Sequence, residues 1–377
     1  MKKTYKYRIY GSRKTISNAN HWLGLCCNLY NSALAERIYA YKMQGVYLSY
    51  YEQKRELPEL RKENPEYLLI DAQTLQDVFN RLNKAFQSFF RRVREGNRKA
   101  GFPRFKGKGW YDSFTLMQHG WKLCDNELII KNVGKFKIKI SRPIKGNIKT
   151  ITVCRSSTNK WFVSFYCDNI PEEILPESDE VVGIDMGLSK FAVFSNNDRP
   201  IENPRFFITD EKKLVKAQRS MSRCTKGTPE RVIAKKVVSH IHERISDRRY
   251  NFAHQESRKI INRFGVICIE DLNIRKMLKE HSFAKSISDV AWGQFARNLS
   301  YKAENAGRKF VAVDPAYTSQ DCSRCGHRQE MPLIERTYDC PQCAISIDRD
   351  LNASFNILAI GLDSLGLVPK RLCLTAQ

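Results

Sequence analysis

Apolar and polar positions alternate weakly over residues 3–10, which predicts an edge strand. The period then lengthens. From about Asn18 to Gly45, Leu23, Cys27, Tyr30, Leu34 and Ile38 fall on one helical stripe. A stronger stripe follows, in which Leu75, Val78, Phe79, Leu82, Phe86, Phe89 and Val93 recur at helical spacing. It runs into Arg91, Arg92, Arg94, Arg98 and Lys99 and stops near Gly96 and Gly101. The period returns to two at Lys135-Phe136-Lys137-Ile138-Lys139-Ile140, and residues 149–155 and 160–167 continue as strands. Strands at 1–10 and about 113–168 are therefore expected to form one small β-barrel, with helices 15–100 inserted.

Residues 171–180 are acidic and carry two prolines, the composition of a linker. Beyond them, Val181-Val182-Gly183-Ile184-Asp185 and Lys190-Phe191-Ala192-Val193-Phe194 predict a hairpin. Residues 211–262 read as basic helix, broken around Lys226-Gly227-Thr228-Pro229. A buried strand is expected at Phe264–Glu270, a helix at Ser286–Gly307, a strand at Lys309–Val313 and a closing helix at 351–361. The last dozen residues form a tail. The chain is thus α+β and multidomain, with an α/β second half and no internal repeat.

Charge narrows the partners. The 377 residues carry a formal net charge of +24, with aromatics interleaved among the cations. That excess favours a polyanion, because basic side chains displace counterions condensed on phosphates. Nucleic acid fits better than an anionic membrane surface, and no apolar run approaches the roughly 20 residues that span a bilayer. The start, Met1-Lys2-Lys3-Thr4-Tyr5-Lys6, lacks the apolar core of a signal peptide. The chain has twelve cysteines, but its size and charge argue for a reducing compartment and against a disulfide framework. Eight of them, Cys26, Cys27, Cys124, Cys154, Cys167, Cys224, Cys268 and Cys373, are scattered and read as free thiols.

The other four form two C-x2-C knuckles, Cys322/Cys325 and Cys340/Cys343. Two knuckles complete a tetrahedral thiolate shell, so one structural zinc ion is expected there, with His327 a bystander. Five residues on lies Asp348-Arg349-Asp350-Leu351-Asn352-Ala353, at a strand-to-helix junction. Asp185 and Glu270 end two predicted strands, and Gly187 leaves backbone room beside the first. Phosphodiester cleavage by two metal ions needs carboxylates that gather the ions about 3.5–4 Å apart. Mg2+ suits such oxygen ligands. Asp185, Glu270 and Asp350 are the candidate ligands, and Asp348 is either an alternative third ligand or a partner behind it. Each carboxylate alone reads as a solvated surface residue; together, in these contexts, they point to a metal-dependent nuclease.

The segments GIDMGLSKFAV (183–193), CIEDLNIRKM (268–277), SISDVAWGQFARNLSYKA (286–303), the knuckles and DRDLNASFNI (348–357) resemble the TnpB family of transposon-associated, RNA-guided DNA endonucleases, relatives of compact type V CRISPR effectors. The N-terminal half resembles it through Gly101-Phe102-Pro103-Arg104-Phe105-Lys106 and the helix 73–93. The resemblance implies a wedge-like β-barrel (1–14 and 101–170), a helical recognition lobe (15–100), a linker (171–180), a RuvC-like nuclease domain of RNase H type (181–320 and 344–365), a zinc ribbon (321–343) and a tail (366–377).

It further implies two catalytic Mg2+ ions on Asp185, Glu270 and Asp350, a transposon-encoded guide RNA and double-stranded target DNA cut beside a short adjacent motif. The setting is a prokaryotic cytoplasm, at the nucleoid. A chain with both lobes is expected to act as a monomer in the ribonucleoprotein. Arg91, Arg92, Arg94, Arg98, Lys99, Arg104, Lys106 and Lys108 would contact phosphates, as would Lys235, Lys236, Arg244, Arg248 and Arg249. Tyr50, Tyr51, Gln76 and Ser113-Phe114-Thr115 match positions near the adjacent-motif duplex, where Gln can read an adenine edge. Gln76 also fits a plain helix surface and Phe114 a core position; Trp292 fits either the nuclease core or a stacked nucleotide. Two other classes stay open: a repressor whose nuclease has decayed, and a transposase or junction resolvase of RNase H fold.

Overall fold

In a computed structural model, the alternation at residues 3–10 becomes strand β1 (Lys3–Gly11), with Tyr5, Tyr7 and Ile9 buried. The structure describes all residues except 98, 108, 279–283, 333 and 368–377. Cys373 and most of the tail therefore lie outside the described residues. The chain divides into two units, Met1–Pro171 and Glu172–Gln377.

In the first unit, helix α1 (Arg13–Gln44) starts at Ser12, whose hydroxyl accepts from the Thr15 N–H, and ends at Gly45 in the left-handed conformation. Helix α2 (Tyr50–Glu63) opens with a capping box between Ser49 and Glu52. Helix α3 (Ala72–Arg94) carries the predicted apolar stripe, buried from Leu75 to Phe86. Strands β2 (Ser113–Leu116), β3 (Trp121–Cys124), β4 (Glu127–Ile130), β5 (Gly134–Lys139), β6 (Asn147–Arg155) and β7 (Trp161–Asp168) join β1 in one antiparallel sheet. Its order is β2-β6-β7-β1-β5-β4-β3, so the expected barrel is an open sheet with β2 and β3 at its edges. The inserted helices complete its core: residues of α1 and α3 share one apolar cluster with the strands, and Trp22 of α1 tilts against Phe114 of β2 at 5.3 Å.

In the second unit, residues 172–180 are irregular but tied down. The Leu175 N–H donates to the Ala306 carbonyl at 3.1 Å and the Ser178 hydroxyl to that of Arg263 at 2.6 Å. Strands β8 (Val181–Asp185), β9 (Lys190–Phe194) and β10 (Ile201–Glu202) are antiparallel neighbours. Helices α4 (Phe206–Arg223) and α5 (Pro229–Arg263) follow, and then β11 (Val266–Glu270), which pairs in parallel with β8. Helices α6 (Ile274–Met277), α7 (Ala284–Val290) and α8 (Trp292–Ala306) lead to β12 (Lys309–Val313), parallel to β11. The sheet order is β10-β9-β8-β11-β12. A small hairpin, β13 (Thr337–Asp339) and β14 (Ser346–Asp348), precedes the last helix, α9 (Arg349–Ser364).

The single helix expected at Ser286–Gly307 is broken at Ala291, which sits at φ 57°. Opposing anchors explain the break. Asp289 accepts from Arg249 and from the Phe207 N–H, while Trp292, Phe295 and Leu299 turn into the core.

Candidate active site

Side chains alternate across a strand. On β8 and β11, Val182, Ile184, Ile267 and Ile269 enter the core that α5 and α8 cover. The opposite positions, Val181, Gly183 and Asp185 on β8 and Val266, Cys268 and Glu270 on β11, therefore face α9. The packing agrees, since Val181, Val266 and Cys268 cluster with Ile357, Leu358 and Leu362 of α9. The approach is close: a Cβ on Gly183 would collide with the Ser354 carbonyl and one on Gly361 with the Cys268 sulfur. The parallel register Ile269↔Ile184 leaves Asp185 and Glu270 side by side at the carboxyl ends of their strands. These are the ends where open α/β sheets bind ligands.

Helix α9 brings the third group. Asp348 is its N-cap: Oδ1 accepts from the N–H groups of Asp350 at 2.9 Å and Leu351 at 3.1 Å, and Oδ2 lies 3.2 Å from Lys190 Nζ. Asp350, in the first turn, is buried, with Arg349 Nη2 3.5 Å and Arg336 Nη1 3.9 Å from its oxygens. Asp185 keeps partial solvent access, yet burial, with Glu270 and then Asp350 nearby, raises its pKa well above the usual carboxylate range. Burial also raises Glu270, against the pull of the Thr318 hydroxyl, which donates to Oε1 at 2.6 Å. Buried carboxylates that repel one another call for a cation, and their oxygen donors fit a hard divalent ion such as Mg2+.

The loop from β12 into the first knuckle is pinned by two asparagines one turn apart on α9. Asn352 donates to the Asp321 carbonyl at 2.8 Å and accepts from the Ser323 N–H at 2.9 Å. Asn356 donates to the carbonyls of Thr318 and Asp321. The ligand atoms of Cys322, Cys325, Cys340 and Cys343 all lie within 4.8 Å of one another, the one such set of three or more candidate ligands among the described residues. The Cys322–Cys343 and Cys325–Cys340 sulfur pairs are 3.6 and 3.5 Å apart. Tetrahedral zinc with bonds of about 2.3 Å spaces its sulfurs by about 3.8 Å, so the four fit that ion. Burial pushes the Cys322 thiol up to about 12; at Cys340 burial acts the same way, but the amides of Cys343 and Gln342 together with the Cys325 and Cys343 side chains bring it down to about 6. The apolar support is small: Tyr338 with Met331, Ile345 and Ile347.

The expected nucleic-acid residues divide. Tyr51, Arg91, Arg104 and Lys106 are exposed; Tyr50, Gln76 and Arg92 are half-buried, and Arg98 and Lys108 lie outside the described residues. Phe114 is a correction: it is 1 % exposed against Trp22, so its ring belongs to the core. Thr115, half-buried, hydrogen-bonds Arg81 Nη2 and Thr152. Arg249 is a second correction, since both its Nε and Nη2 are held by Asp289. Arg248 and Arg244 flank buried Asp210 at 3.3 and 3.8 Å and remain partly exposed. Trp292 packs in the core beside Phe295. Sequence reasoning missed Thr318, Asn352 and Asn356 as holders of the site; the available signal was two asparagines four residues apart, on one face of the closing helix.

Three family profiles match the chain: a helix-turn-helix domain at residues 1–45, a probable transposase at 164–281 and a Cas12f1-like TNB domain at 292–357. The first name does not describe the local shape, which is one strand and one 32-residue helix. A putative RNA-guided DNA endonuclease of Streptomyces pristinaespiralis is 32% identical over 385 residues, covering 98% of this chain and 93% of that protein. The putative RNA-guided DNA endonuclease InsQ of Escherichia coli K12 is 28% identical over 377 residues, covering 95% and 92%. The chain in a cryo-EM structure of a Cas12f1–sgRNA–target DNA complex superposes with a TM-score of 0.58 at 14% identity, covering 95% of this chain and 98% of that one, which is a likeness of fold. The chain belongs to the TnpB family.

Proposed function

We propose that this protein is an RNA-guided DNA endonuclease that hydrolyses target DNA at one RuvC-like site next to a short adjacent motif. The observation that carries the proposal is the pairing of Asp185 and Glu270 side by side at the carboxyl ends of β8 and β11, on the face covered by α9, whose Asp350 is near enough to raise the Asp185 pKa. The names of its relatives give the substrate and the guide. The mixed five-stranded sheet with α9 across it is consistent with a nuclease domain at 181–320 and 344–365, interrupted by a zinc ribbon at 321–343. The wedge and recognition segments would occupy 1–14 with 101–170, and 15–100.

Asp185, Glu270 and Asp350 would hold two Mg2+ ions, whose chemistry there would be activation of the attacking water and stabilisation of the leaving oxygen. The chain's own residues prepare that site. Thr318 orients the Glu270 carboxylate. Asp348, committed to capping α9, fixes the first turn and so the place of Asp350. Arg336 and Arg349, at 3.9 and 3.5 Å, partly offset the Asp350 charge. Exposed cations such as Arg91, Arg104, Lys106, Lys235 and Lys236 would hold phosphates of the guide–target duplex, with base pairing left to read the sequence. The four-cysteine zinc site would be structural, because four protein ligands leave no open position.

Copurification from the native locus with sequencing of bound RNA tests the guided part. A discrete RNA species is expected. Absence of any specific RNA would sink the proposal in favour of a transposition or junction role.

A further inference from the structure

Aromatic rings gather at the C-terminal end of α3. Phe86 is buried at the base, and Phe90 stacks on it with centroids 6.1 Å apart and planes at 28°. Phe102 meets Phe86 and Phe89 edge-on at 5.4 and 5.2 Å, and Tyr47 flanks Phe90 at 6.3 Å. Three of these rings stay wet: Tyr47 is 55% exposed, Phe90 40% and Phe102 45%. Val93, 50% exposed, continues the surface one turn beyond Phe90. A contiguous apolar patch of this kind marks an interaction site.

Cations rim it. Arg94 follows Phe90 by four residues and so shares its helix face, and both it and Arg91 are exposed. Arg92 donates to the Gly101 carbonyl at 2.7 Å, which pins the following segment so that Phe102 rests on α3 while Arg104 stays in solvent. Arg37 is only 5% exposed and its guanidinium lies 5.3 Å from the Phe86 ring centre; its Nη1 and Nη2 have no hydrogen-bond partner. Aromatic faces set among guanidinium groups match a base face joined to a phosphate. Arg91 Nε also lies 3.8 Å from Glu95, both side chains exposed; a purely apolar partner would meet the rings but not the exposed Arg91 and Arg94 cations.

We infer that Tyr47, Phe90 and Phe102 form a stacking platform for unpaired nucleotides, whose phosphates Arg91 and Arg94 hold. This rests on the nucleic-acid function proposed above. Unpaired nucleotides are required, because a duplex hides its base faces within the stack.

The test uses the full chain with Phe90→Leu, which keeps apolar bulk, and Phe90→Tyr, which keeps a stacking face. Binding is followed by 2-aminopurine fluorescence in single-stranded RNA and single-stranded DNA oligonucleotides, with a blunt duplex as competitor. Phe90→Leu is expected to weaken single-strand binding about tenfold and to abolish the fluorescence quench, with Phe90→Tyr near wild type. Comparison of the RNA and DNA probes tells which strand the platform serves. Equal binding by wild type and Phe90→Leu would overturn the inference. So would light scattering in which wild type is a dimer and Phe90→Leu a monomer, since the patch would then join two copies. Asp185→Ala is expected to bind the oligonucleotides like wild type, so a failure to cut DNA would not count against the platform. If wild type binds no nucleic acid, both this inference and the proposed function fall.

Discussion

The Thr318 hydroxyl donates to Glu270 Oε1 across 2.6 Å, joining the loop after β12 to the end of β11. Thr318 is itself fixed, because the Asn356 side-chain amide of α9 donates to its carbonyl at 2.8 Å. One helix thus carries Asp350 and braces the group that orients Glu270. Thr318→Val should leave the fold intact and lower metal affinity or cutting by about 10- to 100-fold, the usual cost of losing a partner behind a metal ligand. Titration of Mg2+ against cleavage rate checks this; an unchanged Mg2+ requirement would separate Thr318 from the site.

Asp348 and Asp350 are expected to have separable roles. Asp348→Asn keeps a good N-cap and should change little, whereas Asp348→Ala should cost about 1 kcal/mol of stability with cutting largely retained. Asp350→Asn should reduce cutting by more than a hundredfold, beyond the roughly 10- to 100-fold range of partners behind the ligands, at unchanged melting temperature. If Asp348→Asn were the dead variant and Asp350→Asn the active one, the two assignments would be reversed.

Without metal, the carboxylate pair works against the fold. Asp185 and Glu270 both have raised pKa values in the folded chain. The unfolded chain therefore releases these protons first, and stability is lost as pH climbs from the ordinary carboxylate range, about 4, through the raised values. In chelator at neutral pH, Asp185→Asn should melt a few degrees above wild type, on a scale of roughly 2–4 °C per kcal/mol for a unit of this size. The gap should close at acidic pH and on adding Mg2+. A variant that melts lower than wild type under all these conditions would contradict the electrostatic account.

The ribbon has too little apolar core to stand alone: β13 and β14 are three residues each, around Tyr338. Its stability should come from the metal. Cys340→Ser should abolish the single bound zinc, measured by elemental analysis, and lower the melting temperature with it. Undiminished zinc stoichiometry would defeat the assignment.

Much of this was legible in the chain because it is encoded locally. Asp185 and Glu270 each close a run of apolar strand residues, and the cysteine spacing names its own chemistry. What escaped notice depends on distant partners. Thr318 gains its meaning from a residue 48 positions away, and Arg249 is removed from the phosphate-binding set by Asp289, 40 positions on. Phe114 stays open between core and duplex contact in the sequence, because a short alternating strand does not reveal which face meets the helices. The break at Ala291 carries no glycine or proline and follows from opposed anchoring on its two sides. The capping role of Asp348 had a local signal, an aspartate just before a helix, masked by the second aspartate two residues on.

Asp185, Glu270 and Asp350 are proposed to form the cutting site of a guided nuclease. The most direct measurement is cleavage of a plasmid library with randomised flanks by the protein and its copurified RNA, with and without Mg2+, for wild type and Asp185→Ala. Mg2+-dependent cuts beside one enriched flank are expected for wild type, and guided binding without cuts for the variant. Equal cutting by Asp185→Ala, or guided binding without cutting by wild type at every Mg2+ concentration, would contradict the account.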